Sequence, residues 1–166
     1  MAAGNTYTPI ATQTLASAAA SVTFSSISGA YTDLVLVVQP AGSIGGDLQF
    51  TFNSDTAANY STIWVAGNGT AASSARHSNY NYGEANRWES VTTTLGATTY
   101  ILNLLNYSNT TTNKTTLTRS NSAAAGVAAL VTLWRSTSAI TTISLFLSGG
   151  TLSTGSTFTL YGIAAA

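Results

Sequence analysis

The sequence is poor in charged and reactive residues. It contains no cysteine, which excludes disulfides, thiolate chemistry and cysteine-based zinc sites. Its 166 residues include only five Lys or Arg and five Asp or Glu, so the formal net charge is zero. So few cations cannot neutralise many phosphates, and we therefore expect no nucleic-acid partner.

Long apolar runs are also missing. The most apolar stretch, residues 123–134, is too short and too rich in small residues to span a bilayer. The N-terminal residues lack the positive start and continuous apolar core of a secretion signal. We therefore expect a soluble chain with no membrane partner.

Hydrophobic residues nevertheless make up 45% of the chain. A protein without net charge has little electrostatic repulsion to keep its copies apart, and this one has much apolar surface to bury. The composition therefore favours a subunit of an assembly over a free monomer.

Apolar and polar residues alternate with period two along most of the sequence, and the alternating segments are rich in Thr, Val, Ile, Leu and aromatic residues. Turn-forming residues separate nearly all of these segments. This pattern predicts an all-β fold, an antiparallel jelly-roll-like β-sandwich of about eight to ten strands. The candidate strands are residues 6–15, 21–25, 33–39, 47–52, 62–65, 88–95, 99–105, 114–119, 128–134, 141–147 and 157–161.

The length suits one well-buried domain, and no shift in composition divides the chain. We assign residues 1–15 to an extended N-terminal segment with the first strand, and residues 16–166 to a single β-sandwich domain.

Two of the predicted strands differ in their pattern of apolar residues. Residues 33–39 are apolar at both odd and even positions, which indicates burial on both faces of the sheet. The segment "DLQFTF", residues 47–52, alternates and is typical of a strand with one buried face.

Residues 66–86 interrupt the alternation and are predicted to form a loop of roughly twenty residues, a length that is uncommon unless the loop contacts something. Nearly half of the scarce charges lie in this loop and at its C-terminal edge, with three aromatic residues. We therefore predict a partner-binding surface that contains Arg76, His77, Tyr80, Tyr82, Glu84, Arg87, Trp88 and Glu89. Trp64 and Trp134 lie within alternating strands and are predicted to belong to the core.

Residues 53–61, "NSDTAANYS", resemble the start of a calcium-binding loop, because Asn53 and Asp55 occupy its first and third positions. The sixth position is Ala58, where Gly is needed, and the twelfth is Trp64, where a bidentate Glu belongs. We therefore predict a structural turn, in which Asp55 and Asn59 hold the loop, and no metal site.

Catalytic patterns are weak. His77 is the single histidine, so a Ser-His-Asp triad would have to use it, and the sequence has no G-x-S-x-G elbow. Glu84 and Glu89 are a conceivable glycosidase pair, but Arg87 lies between them, and ion pairs on a surface loop explain them better. We therefore predict that the chain is not an enzyme, has no catalytic residues and uses no cofactor.

Two partners fit the predicted surface equally well. Tyr80, Tyr82 and Trp88 could stack on sugar rings while Asn side chains bind the hydroxyls. Aromatic residues with Arg are also typical of the centre of protein interfaces. The composition favours the protein interface.

Three segments together resemble the small virion structural proteins of tailed bacteriophages, particularly cyanophages and other aquatic phages. The resemblance lies in the opening "TYTPIATQTLASAAASVTFSSISGAYTDLVLVV", the middle "FNSDTAANYS" and the closing "WRSTSAITTISLFLSGGTLSTGSTFTLYGI". It covers most of the chain as a pattern and includes no catalytic motif.

The resemblance implies a β-sandwich subunit at the particle surface, trimeric, that acts as a capsid cement (decoration) protein or as part of a tail fibre. The chain has no coiled-coil, collagen-like or repeated shaft, which favours the cement protein. Its partners would then be the major capsid protein and other copies of itself, with a host surface glycan as the alternative. The N-terminal segment, with Tyr7 and Pro9, is predicted to lie along a neighbouring subunit.

Overall fold

A computed structural model describes residues 6–122 and 124–164 of the chain. These residues form twelve β-strands, and none of them forms a helix long and apolar enough to cross a bilayer. The strands are β1 (Tyr7–Thr14), β2 (Ser21–Phe24), β3 (Asp33–Gln39), β4 (Leu48–Phe52), β5 (Tyr60–Gly67), β6 (Ala72–Tyr80), β7 (Gly83–Glu84), β8 (Thr98–Leu105), β9 (Lys114–Ser122), β10 (Gly126–Trp134), β11 (Ile143–Leu147) and β12 (Thr157–Ile163).

The strands form two antiparallel sheets. The large sheet has eight strands in the order β1-β12-β3-β8-β9-β10-β5-β6, and the small sheet has four in the order β2-β11-β4-β7. This confirms the predicted all-β, jelly-roll-like sandwich. The described residues hold twelve strands instead of eight to ten because β6 and β7 form within the segment that was predicted to be a loop.

The core lies between the two sheets and is filled by the inward side chains of both. Aromatic rings dominate it: Phe52 lies 5.5 Å from Trp134 and 5.0 Å from Phe50, measured between ring centroids. Tyr60 stacks on Trp134, and its hydroxyl accepts a hydrogen bond from the Phe52 backbone N–H. Trp64 and Trp134 are both buried, as the alternating pattern predicted.

The burial of β3 and β4 tests the predicted number of buried faces for each strand. In β3, Leu34, Val35, Leu36 and Val38 are all buried, which confirms the prediction from apolar residues at both parities. The prediction of one exposed face for "DLQFTF" is wrong, because all five residues of β4 are buried. β4 lies between β11 and β7 in the small sheet, and its polar side chains Gln49 and Thr51 are buried as well.

The prediction of a strand at residues 88–95 is wrong. Only Val91 makes an isolated bridge there, to Gly46. Trp88 adopts a positive φ of 72°, which turns the chain out of an extended path. The chain then lies over the inner face of the large sheet, where the Tyr100 hydroxyl donates to the Glu89 backbone carbonyl at 2.9 Å.

Candidate functional site

Three of the predicted charged residues lie in one cluster around the buried carboxylate of Glu84. His77 on β6 lies beside Glu84 on β7, and the His77 Nδ1–H donates to Glu84 Oε2 at 2.8 Å. Arg87 Nη1 lies 3.4 Å from Glu84 Oε1 and 3.5 Å from Asp47 Oδ2. The Arg87 guanidinium also lies 5.6 Å from the centroid of the Trp64 ring. These four charged or titratable residues, His77, Glu84, Arg87 and Asp47, are here called the charge cluster.

Glu89 is buried apart from the charge cluster. Its Oε1 accepts hydrogen bonds from the Ser120 hydroxyl and, at 3.0 Å, from the Arg87 backbone N–H. Its Oε2 has no hydrogen-bond partner among the described residues. Glu89 therefore ties the segment after β7 to the inner face of β9.

The predicted surface loop must be corrected in two respects. Residues 66–86 are not a loop, because β5 extends to Gly67 and β6 and β7 follow. Glu84 and Glu89 are not surface residues, since both are almost completely buried. Their carboxylates therefore bind groups of the same chain and are not available to a partner. Burial also excludes the surface ion pairs that we expected for them.

The aromatic residues of the predicted surface separate into two places. The Tyr80 ring stacks on His77 with 5.0 Å between centroids, and Tyr82 follows at 5.2 Å from Tyr80. Burial raises the pKa of Tyr82, and the neighbouring Glu84 carboxylate raises it further. Trp88 is exposed, at 42% of its surface. The structure thus gives a half-buried row of three rings and one exposed indole.

The N-terminal residues of the predicted site belong to a sheet edge. Tyr7 and Pro9 lie on β1, which pairs with β12 of the same chain. Tyr7 is exposed and contacts the Tyr161 ring edge-on, with 6.3 Å between centroids. β1 is the edge strand of the large sheet, so its pairing with β12 leaves its other edge unpaired among the described residues. The contact of residues 1 to about 10 with a neighbouring subunit stays a prediction, and residues 1–5 lie outside the described residues.

The turn at residues 53–61 is structural, as predicted. Asp55 Oδ1 accepts a hydrogen bond from the Ala57 backbone N–H at 2.9 Å. Asp55 Oδ2 accepts from Asn59 Nδ2 at 2.9 Å and from Trp134 Nε1 at 2.7 Å. Asp55 therefore fixes the turn to the core tryptophan. The described residues contain no group of three or more His, Asp or Glu side chains that could hold a metal ion.

One exposed surface was not predicted. The outward side chains of β10 and of the middle of β5 are aliphatic, Leu117 of β9 lies beside them, and five of these side chains are 38–60% exposed. We call this surface the open face, formed by Ile63, Val65, Leu117, Val127, Ala129 and Val131. The sequence did carry a signal for it, because residues 126–134 are apolar at both parities, as β3 is. In β10, unlike β3, one apolar face lies in the core and the other faces solvent.

No protein-family model matches the chain, and no curated protein matches it. Among solved structures, the galectin LEC-6 of Caenorhabditis elegans is 12% identical, with 93% of this chain and 96% of that chain covered and a TM-score of 0.38. An exo-inulinase from Aspergillus awamori is 14% identical, with a TM-score of 0.35; the match covers 95% of this chain but only 29% of the inulinase.

Proposed function

We propose that this chain is a structural subunit of a bacteriophage virion that acts as a capsid decoration protein. The proposal combines the resemblance in sequence with one structural observation, the open face. A soluble monomer seldom leaves a large contiguous apolar patch in water, whereas a subunit of an assembly covers such a patch with its partner.

The open face is large enough to matter energetically. Its five aliphatic side chains are about half exposed, so covering them would gain roughly 4–8 kcal/mol at about 1.5–3 kcal/mol per fully buried side chain. Association itself costs about 4–15 kcal/mol, so one such contact alone gives weak binding. Several copies bound at neighbouring positions are needed for stable attachment.

A decoration protein would act by physical means. Binding across the joint between two shell subunits adds buried area where the pressure of packaged DNA pulls the shell apart. If three copies associate, each trimer offers three equivalent contacts, and the second and third contacts form at a high effective concentration. The proposed partners are therefore the major capsid protein and other copies of this chain.

The experiment compares virions with and without the subunit. The chain is first identified in purified particles by mass spectrometry and located by gold-labelled antibody. Its gene is then deleted, and release of DNA on heating is measured together with adsorption to host cells. We expect DNA release at lower temperature with normal adsorption. Particles that stay equally heat-stable but no longer adsorb would contradict the decoration role.

A receptor-binding module is the second candidate, and the aromatic row favours it. His77, Tyr80 and Tyr82 lie ring against ring, and the exposed amides of Asn79 and Asn81 are beside them. Stacked aromatic surfaces flanked by amides are typical of sugar-binding sites. A glycan array with the purified protein, and with a Tyr80→Ala variant as control, tests this. Binding that the variant loses would favour the receptor-binding module.

A further inference from the structure

The open face forms a continuous block across three neighbouring strands. The register places Ile63, Val131 and Leu117 side by side in one row across β5, β10 and β9. Val65 and Ala129 lie in the next row on the same side of the sheet, and Val127 lies beyond them. A groove of about 630 Å³ continues from this block, with Val65, Val127, Ala129 and Ile101 in its wall. The groove is open to solvent, and its volume lies in the range of ligand-binding clefts.

Two arginines accompany the aliphatic side chains. Arg119, on β9, lies beside Ala129 of β10 and lines the groove. Arg76, on β6, lies beside Ile63 of β5. Both are exposed, and neither pairs with an acidic group in the described part of the chain. They lie three strands apart with a two-residue offset, which separates their Cα atoms by roughly 16 Å.

The other three cations are already bound within the chain. Arg87 belongs to the charge cluster, and Lys114 Nζ donates to the backbone carbonyls of Thr112 and Thr137. Arg135 donates to the Ser61 hydroxyl and to the Asn79 side chain. The two free cations of residues 6–122 and 124–164 thus both lie on or beside the open face.

All five acidic side chains are likewise engaged within the chain. Asp33 accepts from the Asn106 backbone N–H at 2.6 Å, and Asp55 binds Trp134 and Asn59. Asp47 and Glu84 belong to the charge cluster, and Glu89 is buried against Ser120. None of the five lies on β5, β9 or β10, so the open face of a second copy offers no Asp or Glu side chain to Arg76 or Arg119.

The geometry points to the open face as a docking surface for a partner protein whose contacting surface is apolar and carries carboxylates. The aliphatic block would bury the partner's apolar residues, while Arg119 and Arg76 would each pair with an Asp or Glu of the partner. The inference rests on the proposed function only for the identity of this partner as a shell protein. A second copy is the poorer match, since stacking two open faces would bring arginines together without a carboxylate.

The first experiment distinguishes a different partner protein from a second copy of this chain. Sedimentation of the purified protein over a range of concentrations is compared for wild type, Val65→Ser and Arg119→Gln. We expect no self-association that depends on these residues. Self-association that Val65→Ser abolishes would overturn the inference, because the open face would then bind a second copy.

The second experiment measures incorporation into virions of the deletion strain, supplied with each variant. We expect Arg119→Gln to reduce occupancy about tenfold, as loss of an interfacial charge pair does, while Arg119→Lys retains most of it. We expect Val65→Ser to reduce occupancy and Ile44→Ser, an equally exposed aliphatic residue away from the open face, to leave it unchanged. Normal occupancy of Val65→Ser and Arg119→Gln would overturn the inference but not the proposed function.

A third experiment tests the chemistry of the open face without a virion. Sodium octanoate and octyltrimethylammonium chloride are titrated into ¹⁵N-labelled protein, and amide resonances are followed by NMR. We expect octanoate, and not the cation of equal chain length, to shift the resonances of Val65, Ala129 and Arg119, and Arg119→Gln to remove this preference. Equal shifts from both compounds would overturn the inference. If the octanoate preference holds but the chain is absent from virions, the proposed function fails alone.

Discussion

The hydrogen bond from the Trp134 indole to Asp55 leads to a stability prediction that can be worked out in detail. Asp55 accepts three hydrogen bonds, from Trp134 Nε1, from Asn59 Nδ2 and from the Ala57 backbone N–H. The perturbation is Asp55→Ala, alone and combined with Trp134→Phe, which removes the donor. Asp55→Asn serves as the milder control because it keeps one acceptor oxygen.

The expected loss of stability follows from the unpaired donor that the substitution leaves in the core. Asp55→Ala leaves the indole N–H of Trp134, a residue with only 2% of its surface exposed, without an acceptor. A buried donor that loses its partner costs about 1–3 kcal/mol, and a hydrogen bond to a charged group contributes about 1.5–3 kcal/mol. We therefore expect Asp55→Ala to lower the free energy of unfolding by about 3 kcal/mol. For a chain of this size, that lowers Tm by roughly 6–12 °C.

Urea denaturation followed by far-UV circular dichroism measures these values without depending on tryptophan emission. In the double-mutant cycle we expect a coupling of about 1–2 kcal/mol between Asp55 and Trp134, because the double variant no longer leaves an unpaired donor. Additive effects, with coupling below about 0.3 kcal/mol, would refute the assigned role of this bond.

The same carboxylate gives a pH dependence. Burial raises the pKa of Asp55, but the hydrogen bonds from Asn59, Trp134 and Ala57 outweigh it, so its pKa lies below the ordinary value. The stabilisation is complete above the unfolded-state pKa of about 3.9 and is lost as the pH falls through the lower folded-state pKa. The stability difference between wild type and Asp55→Asn should therefore shrink on acidification below about pH 4. A constant difference down to pH 2 would contradict the assignment.

Three further predictions concern the core and the charge cluster. Gly83→Ala would drive a Cβ atom into the Phe50 ring, so we expect about 2–3 kcal/mol of destabilisation in urea; a loss below about 0.5 kcal/mol would contradict this packing. Glu84→Gln removes a buried carboxylate from Arg87, and thermal melts should show a loss of about 3 kcal/mol, against less than about 1 kcal/mol for the half-exposed Asp47→Asn. Burial lowers the pKa of Lys114, so the unfolded chain binds the proton more tightly and the contribution of this residue to stability should rise as the pH approaches the unfolded-state pKa of about 10.4. Lys114→Met should lack this rise, and an identical pH profile for both proteins would show that Lys114 is not the cause.

Most strands were predictable because their signals are local. β3 matches its predicted bounds, since an Asp begins a continuous apolar run and Pro40 follows it. β6 was missed because "ASSARHSNY" contains few β-favouring residues; this strand exists through its backbone pairing with β5. The false strand at residues 88–95 does alternate, but local alternation does not reveal that Glu89 is directed at Ser120 of a distant strand.

The candidate site was less predictable for a related reason. A cluster of charges in a polar segment has the same appearance in sequence whether it is solvated or buried. Glu84 is buried only because β7 pairs with β4 and brings it against His77 and Arg87. The open face carried a readable pattern, but deciding which parity of β10 faces solvent requires knowing that the small sheet covers only one side of the large one.

The pairing of β1 with β12 has a consequence for synthesis of the chain. Tyr7 faces Ile163 in the register, and β3 also needs β12 as its neighbour. At about 5–20 residues per second, the ribosome takes roughly 7–30 s to pass from the end of β1 to the start of β12. During that interval β1 has no strand to pair with, and the large sheet is incomplete. Completion of β12 is therefore the step that turns a nascent chain with open strand edges into a folded subunit, and chains that stop before it would be directed to proteolysis or aggregation.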